Sequence, residues 1–101
     1  CALPISEELI GAAYAGCFSM ALSHMLDEAG HTPERIETSA SVHMEKDDDG
    51  FVITLIELDT QGEVPGISEE AFKEHAEEAG KSCPVSRALA GVDKRIKARL
   101  A

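Results

Sequence analysis

From Leu9 to Leu26 the chain runs LIGAAYAGCFSMALSHML, 18 residues without a formal charge, and no other segment limits the possible folds so much. The hydroxyl of Ser6 followed by the carboxylates of Glu7 and Glu8 marks a helix start. The helix is predicted to run to about Ala29, where Gly30 can take a left-handed stop. A helix that is apolar nearly all round either crosses a membrane or fills a core. Its length is at the lower edge for crossing. Ser19, Ser23 and His24 interrupt it, and both flanks (Glu7, Glu8, Asp27, Glu28) are acidic, with no positive side. The expectation is therefore the long buried central helix of a soluble domain, with no membrane partner.

The remaining pattern supplies strands and shorter helices. Ile36, Ala40, Val42 and Met44 alternate with Glu37, Ser41, His43 and Glu45, the period of a half-buried strand. The turn DDDG at 47–50, with Gly50 free to adopt positive φ, returns the chain as a second, antiparallel strand over 51–64 that Pro65 and Gly66 break. Ser68, Glu69 and Glu70 open an amphipathic helix carrying Ala71, Phe72, His75, Ala76 and Ala79, predicted to stop at Gly80. Ser82-Cys83-Pro84 begins a third, short helix that Gly91 closes. Ile96, Ala98 and Leu100 alternate with Arg95, Lys97 and Arg99 in a last strand at a sheet edge. Between the first helix and first strand, Thr32 and Pro33 open a linker with room for one helical turn. The order α-β-β-α-α-β predicts an α+β fold with an antiparallel sheet, in a single domain spanning 1–101. Three strands make a sheet that barely stands alone, so a partner is expected to complete it.

The formal net charge of −10 argues against nucleic acid and against anionic membranes as partners. Three cysteines, Cys1, Cys17 and Cys83, with no leader-like segment ahead of an apolar run, read as reduced thiols in a cytoplasmic protein rather than a secreted disulfide scaffold. No CxxC or HxxxH pair occurs, and His24, His31, His43 and His75 fall on different elements, so no metal site is expected. The missing CxxC also argues against a plain thiol–disulfide oxidoreductase. Cys17, inside the apolar helix, reads by position as a small core hydrophobe. Cys83 precedes a helix N-terminus, where unpaired N–H groups favour a thiolate and Arg87 could add a positive charge. An ordinary capping position is the other reading of Cys83.

SEELIGAAYAGCFSMALSHML, followed by HTPERIETSASVHMEK, GFVITLIELDTQGEVPGI and GKSCPVSRALAG, resembles the OsmC/Ohr family of hydroperoxide-detoxifying proteins, and its OsmC branch in particular. The likeness covers roughly residues 5 to 100, with two cysteine motifs in order across a helix–hairpin–helix spacer. It implies a thiol-dependent peroxidase acting on organic, fatty-acid-type hydroperoxides. In such an enzyme Cys17 attacks the peroxide and becomes a sulfenic acid, Cys83 resolves it as an intrasubunit disulfide, and an external dithiol such as a lipoylated protein reopens the bond without a bound cofactor. Apolar neighbours such as Phe18 and Met20 would suit a bulky peroxide. The resemblance matches Glu7 to the carboxylate that holds a catalytic arginine against the thiolate. Glu7 and Cys17 stand about 15 Å apart along one helix, so the resemblance implies an intertwined homodimer. It also implies that the arginine comes from N-terminal strands. Residues 1–6, CALPIS, depart from the family's approach to the helix, and the domain is expected to be N-terminally incomplete there. Without the arginine the chain would be weakly active alone, or a non-catalytic stress or binding protein of the same fold.

Overall fold

The computed structural model describes residues 6–101; Cys1 and most of the CALPIS stretch lie outside the described residues. The elements are α1 (Ser6–Glu28), β1 (Arg35–Asp47), β2 (Gly50–Glu63), α2 (Glu69–Ser82), α3 (Pro84–Ala88) and β3 (Asp93–Leu100), an α+β arrangement in the expected order. β1 and β2 form the antiparallel hairpin, and Gly50 turns it with φ of 126°. An irregularity between His43 and Met44 leaves Thr54 without an opposite residue, and its hydroxyl donates to the His43 carbonyl at 3.3 Å.

β3 lies on the other side of β2 but runs parallel to it, from Leu55 opposite Asp93 to Gly62 opposite Leu100. The sheet is thus mixed, which corrects the expectation of an antiparallel one. A tight turn makes an antiparallel neighbour, whereas a parallel one needs a long crossover. Here α2 and α3 supply that crossover.

Both long helices lie on one face of the sheet. Alternation sends Ile56, Leu58, Thr60 and Gly62 of β2 inward, all buried, against Tyr14, Phe18, Leu22 and Leu26 of α1 and Phe72, Ala76 and Ala79 of α2. The one buried threonine of this core, Thr60, is satisfied: its hydroxyl pairs with Thr38 at 2.9 Å and reaches the Glu37 carbonyl at 3.2 Å. Ser19 on α1 donates to Thr38 at 2.7 Å, which links helix to sheet by hydroxyls.

Four further expectations shift. α1 is buried on one face only: Gly11, Tyr14, Ala15, Phe18, Leu22 and Leu26 are covered, while Leu9 and Met20 are 58% and 76% exposed. α2 begins as read, with Ser68 Oγ accepting from the Ala71 amide at 3.1 Å, but it continues through Gly80 to Ser82. α3 ends at Ala88, ahead of Gly91, and the linker after α1 has no helical turn.

Candidate functional site

At 100° per residue, the buried face of α1 centres between Phe18 and Leu22, and the bare face runs through Leu9, Ala13, Gly16 and Met20. Cys17 falls on the seam between them. It is half-buried and packs against the core from its edge. Phe18, read as a neighbour that could line an apolar approach to this thiol, is turned fully into the core, whereas Met20 is out in solvent.

Cys83 occupies the joint between α2 and α3. Its extended backbone (φ −65°, ψ 148°) ends one helix and begins the next, with its N–H bonded to the Ala79 carbonyl at 3.2 Å and its carbonyl accepting from the Arg87 amide at 3.1 Å. Pro84 fits there because the first helical position needs no N–H. The thiol is 1% exposed, and burial pushes its pKa above the ordinary value of 9.0. The backbone N–H groups of Ser86 and Val85 pull the other way and are outweighed, and the Cys17 thiol beside it raises it further. The expectation that the helix start and Arg87 would make Cys83 the readier thiolate is therefore corrected. Desolvation exceeds the dipole of a five-residue helix, and the Arg87 side chain is exposed. The fold thus brings Cys17 and Cys83 side by side, one reachable from solvent and the other sealed beneath it.

Glu7 is not part of this cluster. It sits at the start of α1, beside a groove of about 430 Å³ formed with Glu8, Gly11 and Ala12 against Thr38 and Val42 of β1. Among the described residues its carboxylate accepts only from Ser6 Oγ, at 3.4 Å. Arg35, Arg95 and Arg99 are engaged with Glu37, Glu57 and Asp59 on the outer side of the sheet. Among the described residues no group of three or more His, Cys, Asp or Glu side chains could hold a metal ion.

Two residues of the cluster were not singled out from sequence. Tyr14, one turn before Cys17, is fully buried and donates its hydroxyl to the Gly80 carbonyl at 2.8 Å. Ser86, in α3, is buried, and its side chain stands near the Tyr14 hydroxyl. Burial raises the Tyr14 pKa above 10.0, against the pull of Ser86, and both thiols add to the rise. A single tyrosine in an apolar helix carries no mark in sequence that separates it from core. Gly80 has a packing reason of its own: a Cβ there would stand 1.7 Å from Ile96 Cδ1, so only glycine lets α2 lie this close to β3.

An α+β domain with helices on one sheet face and two cysteines meeting across the helical layer defines a cysteine-pair domain of a recognisable class. The chain belongs to the OsmC-like protein family, whose model matches residues 3–97. It is 54% identical over 83 residues to the peroxiredoxin OsmC of Escherichia coli strain K12, covering 82% of this chain and 58% of that protein. It is 32% identical over 85 residues to an organic hydroperoxide resistance protein-like 2 of Staphylococcus saprophyticus, with the same coverages, 82% and 58%. The chain thus spans 58% of the length of these curated relatives. Among solved structures, the organic hydroperoxide resistance protein OhrB of Bacillus subtilis superposes with a TM-score of 0.78 at 28% identity, over 100% of this chain and 73% of that one. An organic hydroperoxide resistance protein OsmC from Legionella pneumophila shares the fold with a TM-score of 0.84 at 23% identity, over 98% and 72%.

Proposed function

We propose that this chain is the thiol-bearing part of a cysteine-based peroxidase that reduces organic hydroperoxides. The observation that carries the reading is the asymmetric pair: a half-exposed Cys17 directly against a buried Cys83. The Cys17 thiolate attacks the terminal peroxide oxygen, the O–O bond breaks, and the alkoxide leaves as alcohol after taking a proton. Cys17 is then a sulfenic acid. The Cys83 sulfur displaces its hydroxyl as water, giving a Cys17–Cys83 disulfide, which an external dithiol reduces by exchange. A buried resolving thiol suits this order, since it stays protonated and unreactive until the sulfenic acid forms beside it. Glu7 would hold an arginine against the thiolate of a second copy, and the bare face of α1 offers that copy an apolar surface in a homodimer. The name of the Escherichia coli relative supports a peroxidase, and the names of the Staphylococcus saprophyticus and Bacillus subtilis proteins support the organic hydroperoxide class. A reducing, cytoplasmic setting fits the free thiols.

Reduced protein given one equivalent of cumene hydroperoxide is expected to yield a Cys17–Cys83 linked peptide pair by mass spectrometry. Cys83→Ser should give sulfenic or over-oxidised Cys17, and Cys17→Ser should give no oxidation at Cys83. Two free thiols after that treatment would overturn the reading. A second reading, a non-catalytic domain of the same fold, is favoured by the engagement of Arg35, Arg95 and Arg99 away from the thiols. Disulfide formation without sustained peroxide consumption in excess dithiothreitol would select it.

A further inference from the structure

We propose that Tyr14 is the positioning residue that holds Cys83 against Cys17, by fastening the end of α2, just ahead of the α2–α3 joint, to the helix that bears Cys17. The inference rests on the pairing of Cys17 with Cys83 proposed above.

Three placements carry it. Tyr14 lies three residues before Cys17, so its ring leaves α1 one turn away on the neighbouring line of the helix surface. Its hydroxyl donates at 2.8 Å to the carbonyl of Gly80, three residues before Cys83. The side chain of Ser86, three residues after Cys83, stands close enough to the hydroxyl to pull its pKa down against burial. The last four carbonyls of a helix have no partner within it. In α2 the Ala79 carbonyl takes the Cys83 amide, and the Gly80 carbonyl takes Tyr14. A tyrosine on one helix thus caps the end of another, immediately ahead of the buried thiol.

A buried tyrosine hydroxyl generally finds some partner. What sets Tyr14 apart is that its partner is the helix end that leads directly into Cys83, with Ser86 beside it on the far side of that thiol. β3 presses on the joint as well. There Ile96 occupies the space over Gly80, and Lys94 Nζ donates to the carbonyls of Ser86 at 3.1 Å and Leu89 at 2.5 Å. Tyr14 is the member of this clamp that belongs to the Cys17 helix, and so it fixes the distance between the two thiols. Formation of a disulfide is sensitive to that distance, since a misplacement of about 1 Å in a reacting group can cost roughly a hundredfold in rate.

The test uses the 101-residue chain with Cys1→Ser, reduced, and 5,5′-dithiobis(2-nitrobenzoate) as oxidant, so that it needs no peroxide chemistry. Cys17 sulfur attacks the reagent and releases a first thionitrobenzoate. Cys83 sulfur then attacks the Cys17 mixed disulfide, losing its proton to solvent and releasing a second thionitrobenzoate as the Cys17–Cys83 bond forms. Tyr14→Phe keeps the ring and removes the grip. It is expected to leave the first phase within about twofold and to slow the second by about tenfold or more. The ratio should hold across pH, because geometry and not ionisation is altered. Ser86→Ala should slow the second phase to a lesser degree, and it carries the test alone if Tyr14→Phe does not fold by thermal melt. Second phases as fast as in the parent would overturn the role of Tyr14 and leave the thiol pairing intact, as would equal slowing of both phases. A parent chain with no second phase would overturn the pairing and this inference with it.

Discussion

On its inner side β2 presents Ile56, Leu58, Thr60 and Gly62, all buried; on its outer side the same strand presents Glu57, Asp59 and Gln61, all in partial contact with water. The outer side has the more conspicuous interactions. His43 meets Glu57 at 2.7 Å, Arg95 approaches the same carboxylate at 3.6 Å, and Arg99 pairs with Asp59. The His43 hydrogen bond, with Lys97 and Arg95 beside it, holds the Glu57 carboxyl below its ordinary value of 4.5. The inner side has few polar contacts, and each is enclosed. What decides their relative weight is desolvation: an exposed ion pair exchanges one set of solvated charges for another, whereas a buried ring or hydroxyl has no water to fall back on.

The largest effect that would break this contrast is at Phe72. The tip of its ring lies over Gly62, 2.7 Å from where a Cβ would stand, and it is fully buried. Phe72→Ala is expected to cost about 3–5 kcal/mol in denaturant unfolding; a loss near that of a surface substitution would refute the account of the core. Next comes alkaline pH. Cys83 has its pKa raised in the folded state, so its contribution is whole below the unfolded value of 9.0. It is lost as pH rises through the raised one, because only the unfolded chain can ionise the thiol in between. Thermal melts from about pH 8 to about pH 11 should therefore fall more steeply for the parent than for Cys83→Ala. Parallel curves would mean that the thiol is not sealed. The smallest effect is on the outer side, where Arg99→Ala should change stability by no more than about 0.5 kcal/mol, and a cost several times that would require the outer ion pairs to matter structurally.

The same contrast explains what could be read in the sequence. Local signals acted as local chemistry says they should. Ser68 caps α2, Gly50 turns the hairpin and Pro84 opens α3, each through contacts within a few residues. Where a distant partner decides, local reading went astray. Gly80 looked like a helix stop, yet its reason is Ile96 on β3. Cys83 looked like an activated thiol at a helix start, but burial under α1 reverses the shift. The direction of β3 depends on where α2 and α3 deliver the chain, which no alternation of Ile96, Ala98 and Leu100 encodes. Tyr14 was passed over for the same reason, since its partner Gly80 lies far along the chain. The pairing of the two cysteines came from likeness to a family and not from spacing.

The parallel placement of β3 also sets the order in which the molecule can assemble. The β1–β2 hairpin joins near neighbours and can close in about 1–10 μs. β3 pairs residues as distant as Leu55 and Asp93, and it must wait until the whole crossover has been threaded and docked. Lys94 and Ile96, which press the Cys83 joint into place, arrive with it. An oxidant met before β3 docks therefore finds Cys17 on a helix already formed and Cys83 on a joint not yet pressed into place. The packing around the two thiols is completed only when that last strand arrives.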